Sequence, residues 1–339
     1  MKLYTHKNIN QLQKYIPKEC NVFAIIDNKV KDYFKAFKNW NFIGIDALEN
    51  AKTLEKAGEI CSRLMEMKAG RDCFIIGAGG GVTTDLAGFV ASIYKRGVRF
   101  GLVPTTLLAA ADAAIGGKNG VNHLGIKNMM GTITQPEWTF QSTEFFRTLD
   151  ERVFKEGIAE ILKTFLLMDE EGFYESADFF RNYNHRTPSQ RQEQNLRSLV
   201  RRCALKKMQI VEKDEFDHQA RRFLNLGHTF GHALESYYGG EILHGEAVAA
   251  GTLAAARLSV KLSLMKERTF DLISDCYSAC GISFRFGVKA ADLLKYILND
   301  KKISGGEIVF ILPVETGTKT EAWSIPLPEF KKLCKGVVL

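Results

Sequence analysis

Apolar residues in the first 150 positions fall in short runs that end at turn residues. NVFAIIDN (21–28) and WNFIGID (40–46) each read as a buried strand, and NAKTLEKAGEICSRLMEM (50–67) has the period of an amphipathic helix. CFIIGAGGGVTTDLAGFVASIYKRG then supplies a strand, a glycine turn and a helix, and VRFGLVPTTLL adds another strand. This alternation predicts a Rossmann-like parallel sheet with ligands beyond the carboxyl ends of its strands. From about residue 151 the periods become long and helical: ERVFKEGIAEILKTFLLMDEE, QNLRSLVRRCALKKMQIVEKDE, GHTFGHALESYYG and GEAVAAGTLAAARLSVKLSL. RNYNHRTPSQRQEQ (181–194) reads as a surface excursion between helices, and KKISGGEIVFILPVETG as a small hairpin-like run. The expected fold is an α/β domain over 1–150 followed by a mostly α-helical domain over 151–339.

Composition narrows this reading only modestly. The 339 residues suit two domains, with the apolar and charged content of a soluble globular protein. No apolar run has the form of a signal peptide or reaches the roughly 20 residues of a membrane helix, so a cytoplasmic protein with no membrane partner is expected. The seven cysteines are scattered, and only Cys276 and Cys280 lie close, as a packing pair would; reduced thiols fit best. A net charge of +7 is modest for this length. RRCALKK (201–207) and Arg221-Arg222 lack the interleaved aromatics of a nucleic-acid surface, so no nucleic-acid partner is expected. Solvated helix faces or a site for an anionic substrate both remain open for these runs.

Several segments could carry chemistry. GAGGGVTTD (77–85) joins a strand to a helix, and its glycines would let backbone N–H groups reach a pyrophosphate, although the spacing is not GxGxxG. VPTTLLAAADAAIGGKNGVN places small residues around Asp112, Lys118 and Asn119, with Lys127 and Asn128 following; a plain loop is the equal alternative. Glu156, Glu160 and Lys163 form a polar line on an otherwise apolar helix. A solvated stripe is the favoured reading there, and a buried carboxylate for a metal the sharper one. In NLGHTFGHALE, His228, His232 and Glu235 share a helix face, and His244 follows in LHGEAVAAG. HxxxH without the HExxH glutamate excludes a zinc protease, but two imidazoles and a carboxylate would suit a catalytic metal. Spacing alone pairs His228 with His232.

Taken in order, GGGVTTDLAGFVASIYKRGVRF, VPTTLLAAADAAIGGK, GIAEILK, RRFLNLGHTFGHALE, LHGEAVAAG and NDKK resemble the 3-dehydroquinate synthase family of sugar-phosphate cyclases over most of the chain. The resemblance implies one divalent metal, Zn2+ or Co2+, on Glu160, His228 and His244, with His232 lining the substrate site instead. It implies NAD+ at Gly79, Gly80, Gly81 and Asp85, with further contacts from Thr105, Thr106 and Thr148, and Asp27, Glu49 and Lys52 at the adenosine end. A keto acid sugar phosphate would be held by Arg96, Lys118, Lys127, Asn128, Lys163, Lys207, Arg221, Asn225 and Lys301, with Asp112 nearby; Lys118 and Lys127 would also serve the cofactor. A phosphate and a carboxylate together need such charge-assisted bonds once water is excluded. Three departures stand out: Thr84 where many members have glycine, Ile126 in LGIKN where PLGKN is usual, and LDERVF in place of LPxRE. None removes a functional side chain.

The chemistry so implied is transient oxidation, β-elimination of phosphate, re-reduction, and ring closure by intramolecular aldol addition, with Lys118, Lys163, Lys207, Arg221, Asn225, His232 and Asp112 as the catalytic set. A homodimer is expected. Rival readings are another sugar-phosphate cyclase, a metal-dependent polyol or alcohol dehydrogenase, and a non-catalytic NAD- or metal-binding regulator.

Overall fold

The computed structural model describes residues 1–282, 286–300, 306–314 and 320–339. It divides into two compact units, one of Met1–Asp150 with His185–Ala204, the other of Glu151–Asn184 with Leu205–Leu339.

In the first unit, six strands form one sheet: β1 (Lys2–His6), β2 (Val22–Asp27), β3 (Asn41–Ile45), β4 (Phe74–Gly79), β5 (Arg99–Pro104) and, after a separate hairpin, β8 (Trp138–Ser142). All pairs are parallel, in the order β1-β8-β5-β4-β2-β3. After β1 at one edge, the chain places β3 on one side of β2 and then β4, β5 and β8 on the other, so the β2–β4 boundary is a switch point of the kind at which such sheets bind ligands. Helix α1 (Leu54–Glu66) starts where the Thr53 hydroxyl accepts from the Lys56 N–H at 3.2 Å. It packs with α2 (Gly81–Ile93), and Ile60, Leu64, Leu86 and Val90 meet Ile25, Ile43 and Ile75 of the strands in one core.

The elements that apolar patterning did not mark are the polar ones. β1 is KLYTH and β8 is WTFQS, too short and mixed for a clear period. The antiparallel hairpin β6 (Lys118–His123) and β7 (Ile126–Ile133) is polar and glycine-bearing. Its two turn residues, Leu124 and Gly125, have φ of 48° and 77°, the geometry of a tight I′-type turn. Ile126 therefore follows a turn already closed by Gly125.

The second unit is built from α3 (Glu151–Met168), α4 (Glu170–Arg181), the last part of α5 (Gln190–Lys213), α6 (His228–Tyr237), α7 (His244–Lys261), α8 (Glu267–Ala279), α9 (Leu294–Asp300) and α10 (Leu327–Leu333). An antiparallel pair, β9 (Glu307–Pro313) and β10 (Thr320–Pro326), completes it. The surface excursion expected at 181–194 is only partly that. His185 binds the Leu149 carbonyl at 2.9 Å, and Glu193 is buried against Arg147 and Lys7, so this stretch clusters with the first unit. Among the described residues no helix is long and apolar enough to cross a membrane.

Candidate metal centre and ligand site

In the second unit α3 is buried on nearly every face. Glu160 is 0% exposed and Lys163 1%, so the Glu160–Lys163 part of the polar line is not a solvated stripe. A helix enclosed by α4 and α7 leaves no solvent side for it. The Lys163 ammonium lies 2.5 Å from Glu160 Oε2. His244 is the first residue of α7, and its Nε2 is 3.3 Å from Glu160 Oε1; His228, the first residue of α6, presents its Nε2 at 4.0 Å. Glu160, His228 and His244 thus offer three ligand atoms within 4.8 Å of one another. His232 sits edge-on to His228, with ring centroids 5.3 Å apart, and lies 6.4 Å from the His244 ring; it is not in that set.

Close backbone approach brings these residues together. The Gly245 N–H donates to Glu156 Oε1 at 3.2 Å, and a Cβ at residue 245 would sit 2.6 Å from the Glu156 carbonyl oxygen. Only glycine lets the start of α7 lie against α3 one turn before Glu160. Glu246 accepts from the Leu243 N–H at 2.9 Å and from Arg152 at 2.7 Å, pinning the same helix end.

The electrostatics suit a cation. Burial alone would raise the Glu160 carboxyl pKa, but the Lys163 ammonium and then His244 hold it below the ordinary range. Burial, followed by the charges of Lys163, His244 and His232, pushes His228 well down, so its imidazole is neutral and can donate a lone pair. For His244 burial works against the charged ring, yet hydrogen bonds to Glu160 and Glu235 outweigh it and raise the pKa. A fully buried carboxylate, ion-paired with Lys163 on one oxygen and facing two Nε2 atoms with the other, fits a divalent ion with an open coordination position.

The remaining candidates of this unit are also largely enclosed. Lys207 and Arg221 are 7% and 3% exposed, so the basic runs there are not plain solvated faces. Arg221 donates to the Glu215 carbonyl at 2.8 Å, and its turn is tied down by Asp214, whose carboxylate accepts from the N–H groups of His218, Gln219 and Arg221 at 2.8, 2.7 and 3.0 Å. Asn225 ends the short helical turn Ala220–Asn225. Lys301 lies outside the described residues.

In the first unit the glycine turn is where the patterning puts it: β4 ends at Gly79, Gly80 is the N-cap of α2, and Gly81 opens the helix. The Thr105 N–H donates to the Gly79 carbonyl at 2.8 Å, and the Thr106 hydroxyl accepts from the Ala109 N–H. Thr84 turns its hydroxyl onto the Gly80 and Gly81 carbonyls, so the departure from glycine is accommodated inside the turn. Asp85 pairs with Lys52 at 2.6 Å; Asn122 donates its backbone N–H to the Lys52 carbonyl at 2.7 Å and its side-chain amide to the Glu49 carboxylate at 2.8 Å. These side chains form one polar network beside the turn. Asp27 and Thr148 instead serve their own turns, Asp27 accepting from the Lys29 N–H and Thr148 donating to the Phe145 carbonyl. Asp112 lies in the helical turn 109–113; Lys118, Lys127 and Asn128 are exposed on the hairpin, and Arg96 is exposed with φ 66°. Asn119 is structural, its amide donating to the Gly117 and Thr134 carbonyls. Motif reading missed Asn122 and Asp214, neither of which has a spacing that would single it out; Glu235 it placed on the His228 face, without its contact to His244.

The 3-dehydroquinate synthase N-terminal family matches residues 42–156, and the 3-dehydroquinate synthase C-terminal family residues 157–303. The 3-dehydroquinate synthase of Clostridium tetani is 38% identical over 325 residues, covering 92% of this chain and 85% of the relative. The chain belongs to the 3-dehydroquinate synthase family. Two solved sugar-phosphate cyclases share the fold. The 2-epi-5-epi-valiolone synthase of Streptomyces hygroscopicus subsp. jinggangensis 5008, solved with NAD+ and Zn2+ bound, superposes with a TM-score of 0.85 at 26% identity, over 98% of this chain and 95% of that one. A 2-deoxy-scyllo-inosose synthase complexed with carbaglucose-6-phosphate, NAD+ and Co2+ gives 0.84 at 22% identity, over 99% and 96%. As a 3-dehydroquinate synthase family member the chain is an enzyme, with NAD-binding cyclases among its structural neighbours.

Proposed function

We propose that this chain converts 3-deoxy-D-arabino-heptulosonate 7-phosphate to 3-dehydroquinate and phosphate, a step of aromatic amino acid biosynthesis, as a phosphate-eliminating lyase that acts as a cytoplasmic homodimer. The observation that carries the reading is the convergence of Glu160, His228 and His244 in a chain of this family. Those three residues would hold one Zn2+ or Co2+; the glycine turn, Asp85 and Lys52, with Glu49, Thr105, Thr106, Thr148 and Asp27, would hold NAD+. When bound, the metal supplies Lewis acidity at a substrate hydroxyl and NAD+ a reversible sink for hydride.

The chain's own residues do the rest. Buried Lys207 and Arg221 offer charge-assisted bonds to the substrate's anionic groups, and Arg221 is preset by Glu215 and Asp214 before substrate arrives. Lys163 keeps Glu160 ionised at 2.5 Å, ready to ligate. His232, whose ring lies 5.3 Å from that of His228, and Asn225 would orient the substrate, and His232 would pass protons at its imidazole nitrogens. By the resemblance, Arg96, Lys118, Lys127, Asn128, Asp112 and Lys301 would be the further substrate contacts.

The test is to incubate the protein with the heptulosonate phosphate, NAD+ and either metal, following phosphate and NADH absorbance together. Phosphate release with no net NADH is expected. Net NADH would identify a dehydrogenase, and absence of phosphate release would reject the reading.

A further inference from the structure

A metal-binding histidine must present one particular nitrogen, and the partner of its other nitrogen decides which. His228 Nδ1 lies 3.1 Å from the Leu226 carbonyl, which can only accept, so the proton sits on Nδ1 and the Nε2 lone pair faces Glu160. His244 repeats the arrangement with a different acceptor. Its Nδ1 lies 3.5 Å from Glu235 Oε2 while its Nε2 lies 3.3 Å from Glu160 Oε1. Glu235 is 7% exposed, too enclosed to be an ordinary polar residue of a helix surface. It stands seven residues after His228, two turns along the same face of α6, so this one helix supplies a ligand and reaches the far edge of another.

We propose that Glu235 is a positioning residue, which accepts the Nδ1 proton of His244 and so turns Nε2 toward Glu160 and the metal. Glu235 does not ligate: its oxygen meets the ring edge opposite Nε2, and the grouped donors are Glu160, His228 and His244. The acceptor also makes Nε2 more basic, which strengthens a bond to a cation. The inference deepens the metal reading above and rests on it.

Chelator competition with Co2+ as probe tests it on the full chain, comparing wild type, Glu235→Gln and Glu235→Met. Gln keeps an acceptor oxygen; Met fills a similar volume without one. Glu235→Met should bind Co2+ about 10- to 100-fold more weakly, and Glu235→Gln should recover most of that loss. The visible Co2+ spectrum should shift in the Met variant and return toward wild type in the Gln variant. Equal affinity and spectra in all three proteins would overturn the role of Glu235 and leave the metal site standing; a wild type that takes up no Co2+ would remove the metal reading itself. Long-range 1H–15N spectra of the Zn2+-loaded wild type need no variant to fold. They should show His244 protonated at Nδ1, and a proton at Nε2 would overturn the proposal.

Discussion

The start of α7 gives a prediction whose size can be worked from distances. In Gly245→Ala the new Cβ would lie 2.6 Å from the Glu156 carbonyl oxygen and 2.7 Å from Glu156 Cβ, with the Glu156 Cα closer still. An ordinary contact needs about 3.4 Å or more and the Glu156 Cα would be 2.3 Å away, so the helix end must retreat by roughly 1.1 Å, and no rotamer change can relieve a clash with backbone. Overpacking of this kind costs about 1–3 kcal/mol. His244 precedes residue 245 directly and would be carried away from Glu160 by a distance several times the roughly 0.2 Å tolerance of a metal–ligand bond. Metal affinity should therefore fall by at least about tenfold, beyond the loss of stability. The paired control is Gly58→Ala in α1, where a Cβ meets nothing within 4 Å and alanine should stabilise by about 0.5–1 kcal/mol. Urea denaturation of the metal-free proteins and chelator competition for Zn2+ read the two effects separately. A Gly245→Ala protein with wild-type midpoint and wild-type metal affinity would refute the claim that this close approach builds the site.

Glu160→Ala and His244→Ala should each abolish stoichiometric metal binding while the fold persists; normal metal content by elemental analysis in both would sink the ligand assignment. Lys118→Ala should reduce turnover far more than it weakens NAD+ binding, and an unchanged rate of phosphate release would remove Lys118 from the substrate contacts. The Asp214 carboxyl is held at about 2, against an ordinary 3.8, first by the N–H groups of Arg221 and His218. A carboxyl lowered in the folded state adds stability that is complete above its unfolded value and disappears as pH falls through the folded one. The stability gap between wild type and Asp214→Ala should thus be full at pH 5 and shrink between about pH 4 and 2; a gap independent of pH would show that the ionised cap contributes nothing.

How far the site was legible depends on which residues carry information locally. The glycine turn was plain because strand, turn and helix are contiguous, and β4, Gly80 and α2 follow as patterned. The strands β1 and β8 were not, because each is short and mixed in polarity and the pairing of β1 rests on a partner more than 130 residues away, as in Lys2 opposite Trp138. The candidate metal centre lies between these extremes. Spacing on one helix made His228 and His232 the natural pair, and the ring geometry hardly separates the choices: His232 and His244 both sit 5.3 Å from His228. What separates them is Glu160, on a helix whose position no local pattern reveals. Gly245 against Glu156 brings α7 to α3, and a Cβ at Gly251 would lie 2.8 Å from the Gly231 nitrogen, so glycine also lets α7 approach α6. The resemblance named the same three residues that the structure groups, without this reason. The physical reason is that a helix with glycines at two crossings can touch both neighbours at once, and its first residue, His244, is then the imidazole that reaches Glu160 on one edge and Glu235 on the other.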